Sequence, residues 1–104
     1  MTSRHRHHNP ILIFEKYEIP FGIIGHHFTH AHGHGGENIN KVATKVQLRV
    51  EIAKLPLPTE MRLCLIRKFP HEHIEVSDQT TRYQHENYAC ALKKLKHTIE
   101  ENLK

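Results

Sequence analysis

The stretch Thr44-Lys45-Val46-Gln47-Leu48-Arg49-Val50-Glu51-Ile52 alternates without a break. Val46, Leu48, Val50 and Ile52 fall on one side; Lys45, Gln47, Arg49 and Glu51 fall on the other. Successive strand side chains point to opposite faces, so this period of two predicts a strand with one buried and one charged face. Everything else in the fold has to cover the apolar face.

Downstream, Pro56 and Pro58 close the strand. Pro58 suits the first turn of a helix, where a missing N–H costs nothing. Leu57, Met61, Leu65 and Phe69 then recur every four residues, which predicts a helix from about Thr59 to Phe69, stopped by Pro70. A further strand is expected around Ile74 and Val76. Thr81 and Gln84 have the spacing of a capping box, which opens a last helix at Arg82. Its apolar stripe is Tyr88, Leu92, Leu95, Ile99 and Leu103. The expected core joins Val46, Leu48, Val50, Ile52, Leu65, Phe69, Val76, Leu92, Leu95 and Ile99.

Upstream, Ile24, His26 and Phe28 alternate with Gly25, His27 and Thr29, a second strand. Between the two strands, residues 31–40 hold Gly33, Gly35 and Gly36 and are expected to form a loop. That link is too short for a helical crossover, so the two strands should be antiparallel. Ile11 to Phe14, between Pro10 and Pro20, is a short strand or a docking segment. Residues 1–9 carry Arg4, Arg6 and three histidines with no acid; a disordered tail is expected there rather than an organellar presequence. The fold class is α+β: a small mixed or antiparallel sheet against two helices, in the order strand, loop, strand, helix, strand, helix. Residues 1–20 read as an N-terminal extension and 21–104 as the domain.

With 104 residues the chain supports one modest core, and 38% hydrophobic content makes it thin. A formal charge of +4 and a pI near 9.2 favour a polyanionic partner. No apolar run approaches the length that crosses a bilayer. Cys64 and Cys90 stand far apart with no CxxC, which fits a reducing compartment.

One stretch carries more than pattern. Gly33-His34-Gly35-Gly36-Glu37-Asn38-Ile39-Asn40-Lys41-Val42-Ala43-Thr44-Lys45-Val46 resembles the GGQ loop and following strand of class I peptide-chain release factors, and of the stand-alone hydrolases that rescue stalled ribosomes. Thr81-Arg82-Tyr83-Gln84 with Asn87 resembles the same family's Arg-x-Gln-x-x-Asn at the start of its final helix. Leu55-Pro56 and Arg62 fall where the family has a similar turn and helix. The likeness spans roughly residues 24–100, with its elements in the family's order.

The resemblance implies a release-factor catalytic-domain fold, the ribosomal large subunit and rRNA as partners, peptidyl-tRNA as a further one, and no cofactor or metal. It assigns the catalytic loop to Gly35, Gly36 and Glu37, and RNA contact to Asn38, Asn40, Lys41, Lys45, Arg49 and Arg82. The chemistry suits those residue types. Two glycines let backbone approach the ester that joins peptide to tRNA. The amide of the next residue can donate to the charge that develops on oxygen. Cations neutralise phosphates, the main source of nucleic-acid affinity.

Two features depart from the family. Position 37 is Glu where the family keeps Gln, and an ionised Glu has no donor where Gln has two N–H groups. Burial among phosphates should raise its pKa, and the protonated acid would partly imitate Gln. Ahead of the glycines, His32 and His34 replace small and polar residues. No stop-codon-reading domain and no long basic tail are expected, the last helix ending Glu100-Glu101-Asn102-Leu103-Lys104.

Other residues have competing accounts. His26, His27, His30, His32 and His34 suggest either a metal site or a solvated, RNA-facing cluster, and no acid or Cys has ligand spacing beside them. Cys90 is a small core residue rather than a nucleophile, since no ordered His and Asp accompany it. The Lys93, Lys94 and Lys96 run is a solvated helix face or an RNA contact. The function expected is a ribosome-associated release-factor-like protein in mitochondrial translation, with weakened or lost hydrolase activity and a place as a structural ribosomal component. The alternatives are an active codon-independent peptidyl-tRNA hydrolase and a free RNA-binding module. A bacterial or other organellar compartment is the alternative location.

Overall fold

A computed structural model of the chain describes residues 10–30 and 44–104. The expected tail at 1–9 and the glycine loop at 31–40 lie outside the described residues. The elements are β1 (Ile11–Ile13), β2 (Tyr17–Ile19), β3 (Ile24–His30), β4 (Thr44–Glu51), α1 (Thr59–Lys68), β5 (His73–Asp78) and α2 (Gln84–Glu101).

The alternating stretch is the middle strand of an antiparallel three-stranded sheet, ordered β3-β4-β5. Val46, Leu48 and Val50 are buried, while Arg49 and Glu51 are exposed. The register sets Ile24 and Ile74 on either side of Val50, His26 and Val76 beside Leu48, and Phe28 and Asp78 beside Val46. Each row therefore has an apolar centre, and α2 lies across that face over β4 and β5. Ala91, Leu92, Leu95 and Ile99 of α2 fill the space. Burying each large aliphatic side chain contributes about 2 kcal/mol. Of the expected core, eight residues are fully buried; Phe69 and Val76 only pack against its edge.

Helix α1 ends at Lys68, one residue ahead of the expected Phe69 and two before Pro70. Pro58 sits at its N-cap, one position earlier than the first turn, and its carbonyl accepts from Met61 N and Arg62 N. Arg62 fixes this corner from inside. Its guanidinium donates to the carbonyls of Leu55 and Leu57 at 3.2 and 2.8 Å and to Thr59 Oγ1 at 3.2 Å.

The Ile11 segment is the first strand of a separate hairpin, β1 against β2. Ile11, Ile13 and Ile19 join the same core. The turn between them carries Phe14 and Glu15 at φ of 54° and 57°, a left-handed conformation costing about 1–2 kcal/mol for each side-chain-bearing residue. Contacts from α2 offset that cost. Glu100 accepts from Phe14 N at 2.8 Å, and Lys96 Nζ donates to the Leu12 carbonyl at 2.9 Å and to Glu15 at 2.8 Å.

The capping box at Thr81 and Gln84 does not form. Helix α2 starts at Gln84 with Tyr83 as N-cap, two residues later than expected, and no side chain caps it. Thr81 N donates instead to Asn87 Oδ1 at 2.9 Å, and Asn87 Nδ2 donates to the Thr81 carbonyl at 2.9 Å. Asn87 is fully buried. A buried amide needs partners for its N–H groups and its oxygen, and Thr81 supplies one acceptor and one donor at once, so this pairing displaces the box.

Candidate functional site

The segment 31–43 leaves from the end of β3 and re-enters at Thr44, beside His30 in the register. One end of the sheet therefore carries the glycine motif. Gly35, Gly36, Glu37, Asn38, Asn40 and Lys41 lie outside the described residues, as do His32 and His34.

At this end Phe28–Val46–Asp78 is the last row that spans all three strands, and β3 and β4 pair for two rows more. Asp78, only 3% exposed, is held by Lys94 Nζ at 3.0 Å and by Thr80 N and Oγ1 at 3.2 and 2.9 Å. Burial pushes its carboxyl up, but the bonds from Lys94 and Thr80 outweigh it and hold the group below the usual carboxylate range. Lys94 also donates to the Ser77 carbonyl at 2.8 Å. Two of the three lysines in the 93–96 run are thus engaged inside the fold, Lys94 on β5 and Lys96 on the hairpin; among the described residues Lys93 makes no ion pair. Lys96 is accordingly half-buried against the hairpin, while Lys93 and Lys94 remain on the exposed face of the helix, as expected of a solvated face.

His26 and His27 are adjacent on β3 and so project from opposite faces. His26 shares a 2.9 Å hydrogen bond with Tyr88 Oη and sits 6.4 Å, ring to ring, from Phe28. Burial lowers the His26 pKa, which favours the neutral imidazole, and raises that of Tyr88. A packed aromatic patch explains His26 in an otherwise apolar row. Among the described residues no three His, Cys, Asp or Glu side chains come together to hold a metal. Cys64 and Cys90 are both free and half-buried.

The expected RNA-contacting residues divide between two ends. Lys45 pairs with Thr29 next to the glycine segment. The segment carrying Arg82 leaves β5 after Asp78, at the same end of the sheet. Arg49 lies four residues along β4 from Lys45, about 13 Å at strand rise. It faces outward at the far end, where its Nη2 donates to His73 Nδ1 at 3.4 Å. There it lines an open cleft of about 290 Å³ with Gly22, Gly25, Glu51 and Lys54. Sequence reasoning also missed the role of Asn87, although the motif contained it; its burial was the missing signal.

The RF-1 domain family matches residues 14–104. The chain belongs to the RF-1 domain family, the GGQ-containing domain of class I release factors. Its α+β fold of antiparallel sheets and two helices agrees with that RF-1 domain. Membership gives the chain a release-factor-like role in translation and implies ribosome association. No curated protein shows a significant match to it. Among the described residues no helix is long and apolar enough to cross a membrane.

Proposed function

We propose that this RF-1 domain protein binds the ribosomal large subunit through rRNA and has weakened or lost peptidyl-tRNA hydrolysis, serving as a structural ribosomal component. The observation that carries the proposal is Glu37 at the position where the family keeps Gln, directly after the retained Gly35-Gly36. An ionised carboxylate cannot donate a hydrogen bond and adds negative charge near phosphates. Lys45 and Arg82 at the glycine end, with Lys41 in the motif itself, supply cations for rRNA. The mitochondrial matrix is the proposed location, on the strength of the divergent loop.

A second reading has its own support. The backbone amide of residue 37 is independent of the side chain, and both glycines remain, so a codon-independent hydrolase would keep part of its oxyanion stabilisation. Single-turnover release of peptide from peptidyl-tRNA on purified ribosomes separates the two, with co-sedimentation measured in parallel. Ribosome binding without peptide release supports the binder. Release at a rate matching a GGQ-containing domain sinks it. Import into isolated mitochondria, scored by protease protection, tests the location; failure to be imported removes that part.

A further inference from the structure

Resting on rRNA as the partner, we propose that Arg82 and Tyr83 form a binding site for one unpaired RNA nucleotide, with the Tyr83 ring stacked on the base and Arg82 on the adjoining phosphate. Tyr83 is 51% exposed, the most exposed large hydrophobic side chain among the described residues. It fills an unspecified position of the Arg-x-Gln-x-x-Asn motif, so the motif does not account for it. Among the described residues its ring has one ring neighbour, His85, at 6.1 Å. Arg82 is also exposed, and among the described residues it makes no ion pair or hydrogen bond.

The backbone beneath these free side chains is firmly held. Tyr83 N donates to Thr81 Oγ1 at 3.0 Å, and the Tyr83 carbonyl accepts from Glu86 N and Asn87 N, both at 3.1 Å. Thr81 is itself tied to the buried Asn87 through its amide, hydroxyl and carbonyl. A fixed corner that leaves a ring half-exposed and a cation without an ion pair among the described residues is preorganised for a ligand with a flat face and a negative charge. An unpaired nucleotide has both, whereas bases inside a duplex hide their faces by stacking. The chain's net charge of +4 favours the same partner.

The test is fluorescence anisotropy with a labelled short oligoadenylate strand and an RNA duplex of equal length, across several salt concentrations. Tyr83→Ala should weaken single-strand binding about tenfold, while its salt slope and duplex binding stay as in the wild type. Tyr83→Phe should keep the wild-type affinity. Arg82→Ala should lower the single-strand salt slope by about 0.7, the share of one phosphate. Both residues are exposed, and circular dichroism will verify that the variants fold. The proposal is overturned if Tyr83→Ala binds normally, if it weakens the duplex equally, if Tyr83→Phe is as weak as Tyr83→Ala, or if the wild type does not bind the oligonucleotide. In each of these cases wild-type co-sedimentation with ribosomes decides separately whether the ribosome-binding proposal survives.

Discussion

Asn87 and Thr81 are paired in both directions across the start of α2: the Asn87 amide gives one hydrogen bond to the Thr81 carbonyl and takes one from the Thr81 N–H, both at 2.9 Å. Asn87→Ala would leave both Thr81 groups without that partner at a part-buried corner, a cost of about 2 kcal/mol. Asn87→Asp should not restore stability, because a carboxylate has no N–H for the Thr81 carbonyl. Urea denaturation measures both. An Asn87→Ala midpoint equal to that of the wild type would remove the clamp from the account.

The Asp78–Lys94 contact makes stability sensitive to acid. The folded carboxyl titrates below its ordinary value of 3.8, so its contribution is fully present above about pH 4 and is lost as pH falls through the lowered folded value. Asp78→Asn should therefore destabilise the protein at neutral pH and flatten the acid limb of the stability curve. Denaturation midpoints from neutral to strongly acidic pH check this. Parallel curves for the two proteins would show that another carboxylate controls the acid limb.

Lys96 anchors the hairpin to α2. Its bond to Glu15 and the nearby Glu100 charge hold the ammonium above the ordinary Lys value of 10.5, against an opposing effect of burial. A raised cation stabilises at every pH below its unfolded value and stops doing so only in strong alkali. Lys96→Met should speed amide hydrogen exchange in residues 11–19 at neutral pH and leave β4 protected. Uniform acceleration across both would mean that the hairpin opens only with the whole domain.

Ribosome affinity should fall steeply with salt, and Lys41→Ala and Arg49→Ala should each lower the slope by about one. Arg49 gives the sharper outcome, because it lies about 13 Å along the strand from Lys45. A slope that changes for Lys41→Ala but not for Arg49→Ala would confine RNA contact to the glycine end. Binding that ignores salt altogether would count against rRNA as the partner.

Glu37→Gln restores a neutral donor and removes a charge. One well-placed donor at such a site is worth on the order of 3 kcal/mol, so ester hydrolysis should rise about a hundredfold. The wild type should gain activity as pH falls, because the protonated acid can donate. If Glu37→Gln is as inactive as the wild type, His32 and His34 become the suspects and the protein is a binder. If the wild type is already fully active and unchanged by the substitution, side chain 37 has no role.

Local patterns settled much of the outcome. Alternation over Thr44–Ile52 identifies β4, its buried face and the antiparallel partner before it, because a side-chain period of two admits no other regular element. Spacing by four marked α1, and spacing by three and four marked the stripe Leu92, Leu95, Ile99, because a helix turns once in 3.6 residues. The glycine motif and the residues around Arg82 pointed to the family without any coordinates. Tertiary structure alone decided the rest. Phe14 and Glu15 carry no turn signal, and their left-handed backbone persists because Glu100 and Lys96, more than eighty residues away, hold it. Thr81 and Gln84 fit a capping box locally, yet a buried Asn87 claims Thr81, since an unsatisfied amide in the interior costs more than an uncapped helix end in water. Arg49 and Lys45 look equivalent in an alternating sequence and separate only when the register sets one beside the glycine segment and the other at the far end. Patterns report which way a side chain faces; long-range hydrogen bonds and strand register decide what it meets there.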